Sequence, residues 1–169
     1  MTEKKQTKPV DNLEMWNRLE QTDPAHTKHV GQRGGFTAID AMYQVKTATA
    51  EWGPIGIGWG FDYDLTFTTE FVVADVTLWY GNKDQCVRQC GQKNLKAKFG
   101  TDEDAVKKAI TDGLTKCLSY TGMNADVFLG MFDDNKYVAE VTAKFKKLEP
   151  VPDAKETDAH ARCLAGLIK

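Results

Sequence analysis

From Trp59 to Phe67 the chain alternates with a period of two. Trp59, Phe61, Tyr63, Leu65 and Phe67 are apolar or aromatic, while Asp62, Asp64, Thr66 and Thr68 occupy the positions between and just after them. Successive side chains of a strand point to opposite faces, so this stretch reads as a half-buried strand. The next run, "FVVADVTLWYG", sets Val72, Ala74, Val76, Leu78 and Tyr80 on one face of a second strand. "GNKD" at 81–84 is turn chemistry leading to a third strand around 85–90. The three together make an antiparallel meander, which must bury one of its faces.

A strong helix comes next. Thr101 is its expected N-cap, with Asp104 three residues on. Val106, Ile110, Leu114, Cys117 and Leu118 form its apolar stripe, and Gly122 stops it. The expected fold class is therefore α+β, an antiparallel β-meander packed on a long helix. Upstream, Leu13, Trp16, Leu19 and Glu20 are spaced as a short helix capped by Asp11. "PAHTKHVGQRGG" reads as loop. "FTAIDAMYQVKTATAEW" offers Ile39, Met42, Tyr43 and Val45 to one side of a second helix, ending near Gly53 and Pro54. Downstream, "MNADVFLGMFDDNKYVAEV" is expected to be a loop with one short element. The expected division is a disordered tail over 1–10, one domain over 11–145, and a charged linker and tail over 146–169.

At 169 residues, 41% hydrophobic and 27% charged, the chain has the composition of one soluble globular domain. No apolar run approaches the roughly eighteen residues that span a bilayer, so no membrane partner is expected. The start, "MTEKKQTKPV", has lysines but no apolar core of a signal peptide. Cys86, Cys90, Cys117 and Cys163 do not form a small-secreted-protein pattern. A cytoplasmic protein with reduced thiols is the expectation.

"EWGPIGIGWGF" puts four glycines in eight positions. A phosphate-binding loop needs a Lys-Ser/Thr pair opening a helix, and none occurs after these glycines. A dinucleotide fingerprint also needs a helix after its glycines, whereas the chain beyond Gly60 alternates with period two. The run reads as a tight turn at Gly53 and Pro54 feeding a bent or bulged strand. No nucleotide cofactor is expected.

Asp62 and Asp64 share a strand face and could hold a divalent metal for nuclease chemistry, with Glu70 or Asp75 as further ligands. The solvent side of an amphipathic strand explains them better. Cys86 and Cys90, on a strand, stand about 13 Å apart, too far to share a zinc ion. His26 and His29 have no second ligand pair at suitable spacing. No Ser or Cys sits in a nucleophile context. Neither a catalytic residue nor a metal site is assigned.

The basic residues say more. Lys83, Arg88, Lys93, Lys96 and Lys98 fall within sixteen positions that hold a single acid, Asp84, and Lys107, Lys108 and Lys116 extend the bias along the helix. They adjoin strands carrying Trp59, Phe61, Tyr63, Trp79 and Tyr80. Cations that track phosphates beside aromatics that stack bases are the means of single-strand binding.

The segment 105–128, "AVKKAITDGLTKCLSYTGMNADVF", resembles the helix of the single-strand annealing recombinases, the superfamily of phage Erf and Sak proteins and the eukaryotic Rad-fifty-two mediator. That family carries "A-x-T-D-G-L-K-R-A-L" before a glycine turn. The matching residues are Ala109, Thr111, Asp112, Gly113, Leu114, Lys116 and Leu118, then Gly122. Trp52 and Gly53 through Trp59 resemble the family's "F/W-G-x-x-G-W" between helix and meander. The similarity covers roughly residues 30–132 as modest motifs in the right order.

The resemblance implies a β-β-β-α core and assembly into homo-oligomeric rings or helical filaments. It implies ATP-independent binding of single-stranded DNA and annealing of complementary strands in recombination and repair, with no enzymatic step. It places DNA along Lys93, Lys96, Lys98 and Lys116, with Arg88 in the same basic stretch. The family's tandem basic pair is Thr115-Lys116 here. Its arginine in the preceding helix falls near Tyr43, with Arg33 and Lys46 as substitutes. Gly113 is assigned to close helix–sheet approach and Asp112 to a hydrogen bond there. The tail would reach a single-strand binding protein or be an inert end. The rival readings are a metal-dependent nuclease using Asp62 and Asp64, and a ring-forming structural phage protein.

Overall fold

The computed structural model describes residues 11–31, 35–97 and 100–148. In chain order the elements are α1 (Glu14–Leu19), β1 (Thr27–Val30), β2 (Phe36–Ile39), α2 (Ala41–Trp52), β3 (Trp59–Phe67), β4 (Phe71–Tyr80) and β5 (Asn82–Asn94). The hairpin β6 (Lys96–Ala97) and β7 (Gly100–Thr101) comes next, then α3 (Ala105–Ser119), α4 (Ala125–Phe128) and α5 (Asn135–Leu148). Strands β3, β4 and β5 form an antiparallel meander, and α3 packs across β4 and β5. The fold is α+β, as the period change along the sequence implies.

The register explains the alternation. Trp59, Phe61, Tyr63, Leu65 and Phe67 of β3 pair with Tyr80, Leu78, Val76, Ala74 and Val72 of β4, so one face is apolar. Trp59, Val72, Ala74, Val76 and Leu78 are buried there with Ala105, Ala109, Cys117 and Leu118 of α3. Fully burying one such large side chain contributes about 1.5–3 kcal/mol. The alternation does not guarantee burial along all of β3. Tyr63 and Phe67, beyond the cover of α3, remain half exposed.

Helix and sheet meet backbone to backbone. A Cβ on Gly91 of β5 would lie 2.0 Å from the Ala109 carbonyl oxygen, and one on Gly113 would lie 2.6 Å from a Val76 methyl. Gly113 therefore serves the close approach, and Gly91 is its counterpart. The Asp112 carboxylate accepts a hydrogen bond from the Gln92 backbone N–H at 3.3 Å, tying α3 to β5 at that contact.

The glycine run is a turn into β3. Gly53 ends α2 with φ of 93°, a conformation that side chains disfavour. The Gly58 N–H donates to the Pro54 carbonyl, and a Cβ on Gly58 would lie 1.6 Å from the Trp52 carbonyl oxygen. The meander's register shift falls later, at Trp79 and Tyr80.

Several local expectations give way. "PAHTKHVGQRGG" is not all loop, because Thr27–Val30 pairs antiparallel with Phe36–Ile39. Ile39 thus belongs to a strand, and α2 starts after Asp40, whose carboxylate accepts from the Met42 N–H. Thr101 does not cap α3; it pairs with Lys96 in the hairpin, and Asp104 precedes the helix. Asp11 accepts from the Leu13 N–H but stands ahead of the α1 cap position, held by Leu13. The third strand is longer than expected, over Asn82–Asn94. The stretch after Gly122 holds α4, a 3-10 turn and the fourteen-residue α5, which runs across the expected boundary at 145.

Candidate nucleic-acid interface

A groove of about 590 Å³ opens beside α3. One wall is β2, from Phe36 to Ile39. Another is the outward side of α3, with Lys107, Lys108, Thr111, Asp112 and Thr115. Lys93, near the end of β5, adds a cation. Phe128 of α4 and Phe132 and Asp133 of the adjoining 3-10 turn complete the lining. Lys93 belongs to the sheet row of Phe67 and Val72, which faces the helix side.

The groove's charges are not equally available. Lys108 donates to both oxygens of Asp102 at 2.8 Å, which raises its own pKa and lowers that of the aspartate. Among the described residues Lys93 and Lys107 take part in no ion pair. These two are the ready cations of the groove.

Behind the groove lies a buried chain of side-chain hydrogen bonds. The Thr115 hydroxyl donates to Gln44 Oε1, Gln44 Nε2 to Asn124 Oδ1, and Asn124 Nδ2 to the Thr22 hydroxyl. Thr22 in turn donates through both its hydroxyl and its backbone N–H to Asp126, which also accepts from the Tyr137 hydroxyl at 2.9 Å. Burial first, and then the bond to Asp126, hold the Tyr137 pKa well above the ordinary tyrosine value. Thr22, Gln44, Asn124 and Asp126 are all buried, so unmade bonds here would be costly. The network fixes the α3 wall relative to α2 and α5. Tyr137 also packs edge-on against Phe132, with ring centroids 6.1 Å apart.

Of the described residues expected to contact DNA, only Lys93 lines this groove. Lys96 is exposed on the β6–β7 hairpin, and Lys46 is exposed on α2. Lys116 is engaged by Asp112 at 3.0 Å and by the Cys90 carbonyl at 3.1 Å, so it fastens α3 to the edge of β5. Arg88 points to the sheet face away from α3, where it forms two hydrogen bonds with Asp75. Arg33 and Lys98 lie outside the described residues.

The sheet aromatics do not join the lysines of the groove. Trp59 is fully buried, Phe61 packs against the core, and Tyr80 stacks on Trp52 at 4.7 Å. Trp79 lies against Gly60 on the outer face with Lys83 over its ring. The groove's aromatics are instead Phe36, Phe128 and Phe132, which no pattern in the sequence singles out. Phe128 and Phe132 lie four residues apart in adjoining short elements, and Phe36 comes from a distant strand.

Asp62 and Asp64 are exposed on the outer sheet face, Asp64 directly across from Asp75. Among the described residues no group of three or more His, Cys, Asp or Glu side chains is placed to hold a metal ion. No helix among them is long and apolar enough to cross a membrane. Neither a family model nor a curated protein matches the sequence.

Proposed function

We propose that the chain binds single-stranded DNA along the groove beside α3 and anneals complementary strands without nucleotide hydrolysis, as a recombination mediator. The observation that carries this reading is the meeting of Lys93 and Lys107 with Phe36, Phe128 and Phe132 in one open groove. Cations on a rigid scaffold hold phosphates regardless of sequence, and aromatic faces accept any base. The resemblance of 105–128 to the single-strand annealing recombinases points the same way. The protein acts as a homo-oligomeric ring or filament, so that grooves on successive subunits hold one strand and modest contacts multiply. Its place is the cytoplasm, and residues 146–169 are the segment proposed to reach a single-strand binding protein.

The test is annealing of two labelled complementary oligonucleotides with EDTA present, without ATP, across a salt series. Acceleration over the spontaneous rate is expected. Lys93→Ala with Lys107→Ala should lower the salt slope of single-strand binding by about 0.7 for each lost phosphate contact. Lys96→Ala, outside the groove, should leave the slope unchanged. Absence of both annealing and low-salt binding would refute the reading.

A further inference from the structure

The groove is polar along one side and apolar along another, and this asymmetry says more than that a strand can lie there. Its cations, Lys93, Lys107 and Lys108, stand on β5 and α3, and the carboxylate on that side, Asp112, is already engaged by Lys116. The side built from α4 and the 3-10 turn contributes Phe128, Phe132 and the carboxylate of Asp133, with no cation among its lining residues. A phosphate beside Asp133 would meet like charge, so the backbone belongs on the α3 side. The other side then faces the bases that project from the backbone.

Phe36 and Phe128 are 51% and 49% exposed, although each is a large apolar side chain bordering a concavity. Phe132 is held by its edge-on contact with Tyr137, whose hydroxyl is anchored on Asp126. A fixed ring loses little freedom when a flat partner settles on it. The space lies within the range of roughly 300–1,000 Å³ typical of small-molecule sites.

We infer that the groove contains a nucleobase seat: an unpaired base enters between Phe36 and the Phe128–Phe132 side while its phosphates remain at Lys93 and Lys107. The inference rests on the proposed single-strand binding and adds how the strand is oriented. The seated base is withheld from pairing, and its neighbours on the strand are left to pair. Annealing would therefore begin on the bases outside the seat.

The test compares two strands of equal length and charge with the intact protein: oligothymidylate, and the same backbone made abasic. Stacking on the phenylalanines should make the abasic strand bind about five- to a hundredfold more weakly, with the same salt slope for both. Phe36→Leu with Phe128→Leu keeps apolar volume but removes the rings, and should narrow that gap. If the wild-type protein binds both strands equally, or the gap persists in the double variant, the seat is refuted while single-strand binding stands. If neither strand is bound at low salt, the seat and the proposed function fail together.

Discussion

The two faces of the β3–β4–β5 meander come from the same residues in alternation, yet they are put to opposite use. The inner face is apolar, covered by α3, and leads at the Lys93 end into the cationic groove. The outer face carries Asp62, Asp64 and Asp75 around the Arg88 cation, with Thr66, Thr77, Cys86 and Cys90 beside them and Lys83 over Trp79 at one end. Three carboxylates on a sheet face repel a polyanion, whereas Lys93 and Lys107 attract one. Neighbouring positions of one strand can thus differ in kind. On β5, Arg88 and Cys90 look outward, while Gly91 and Lys93 look toward the helix. The net charge of −2 conceals this division.

The sharpest way to test the division is a single methyl group. Gly91→Ala would place a carbon where only 2.0 Å separates it from the Ala109 carbonyl oxygen, with Gly113 N at 2.5 Å. Both neighbours are backbone, so relief requires the helix to move off the sheet. The expected cost is about 3 kcal/mol or more, read as a lower denaturant midpoint. Cys90→Ala, one residue away and exposed, should change stability by no more than about 0.5 kcal/mol. Equal effects at the two positions would break the comparison.

A second, smaller effect lies in the network behind the groove. Tyr137→Phe removes the hydroxyl that donates to Asp126 and leaves that buried carboxylate short of one donor. A hydrogen bond to a charged group contributes about 1.5–3 kcal/mol, and a loss of that order is expected at neutral pH. The pH dependence has a definite sign. The folded-state pKa of Tyr137 is raised, so its contribution is complete below the ordinary tyrosine value of about 10 and is lost as pH rises toward the folded-state value. The stability difference between wild type and Tyr137→Phe should therefore shrink above pH about 10. A difference that stayed constant through that range would show that the hydroxyl is not held as described.

Legibility in the sequence obeys the same division. Strand β4 was legible because one face is buried along its length, which forces period two, and β3 was legible because it carries the matching alternation, although only Trp59 of its apolar row is fully buried. Strands β1 and β2 were not, since four-residue strands with mostly intermediate burial leave no alternation to find. Helix α5 escaped for a related reason: only Val141 of its fourteen residues is buried, and Asp133, Asp134 and Asn135 at its start look like a turn. The basic bias through Lys93 and Lys107 was visible as charge. Its division among the groove, the Lys116 clasp and the Arg88 ion pair was not, because composition does not say which face a residue occupies. Phe36 joins Phe128 and Phe132 at the groove only through tertiary structure.

The smallest effect is expected at Arg88, and it bears most directly on the proposed path of DNA. The Arg88 guanidinium holds the Asp75 carboxyl below the usual carboxylate range through its hydrogen bonds. Both side chains are substantially exposed, at 60% and 44%, so solvent screens the pair. A lowered carboxyl pKa contributes stability above its unfolded value that is lost on acidification, and here that contribution should be slight. Arg88→Ala should accordingly unfold with wild type across neutral pH. It should also bind single strands with an unchanged salt slope, because it removes a cation already committed to Asp75 on the acidic face. A slope lowered by about 0.7 would mean that Arg88 meets a phosphate. The strand would then cross the outer face despite its three aspartates, and the contrast between the two faces would have to be reversed.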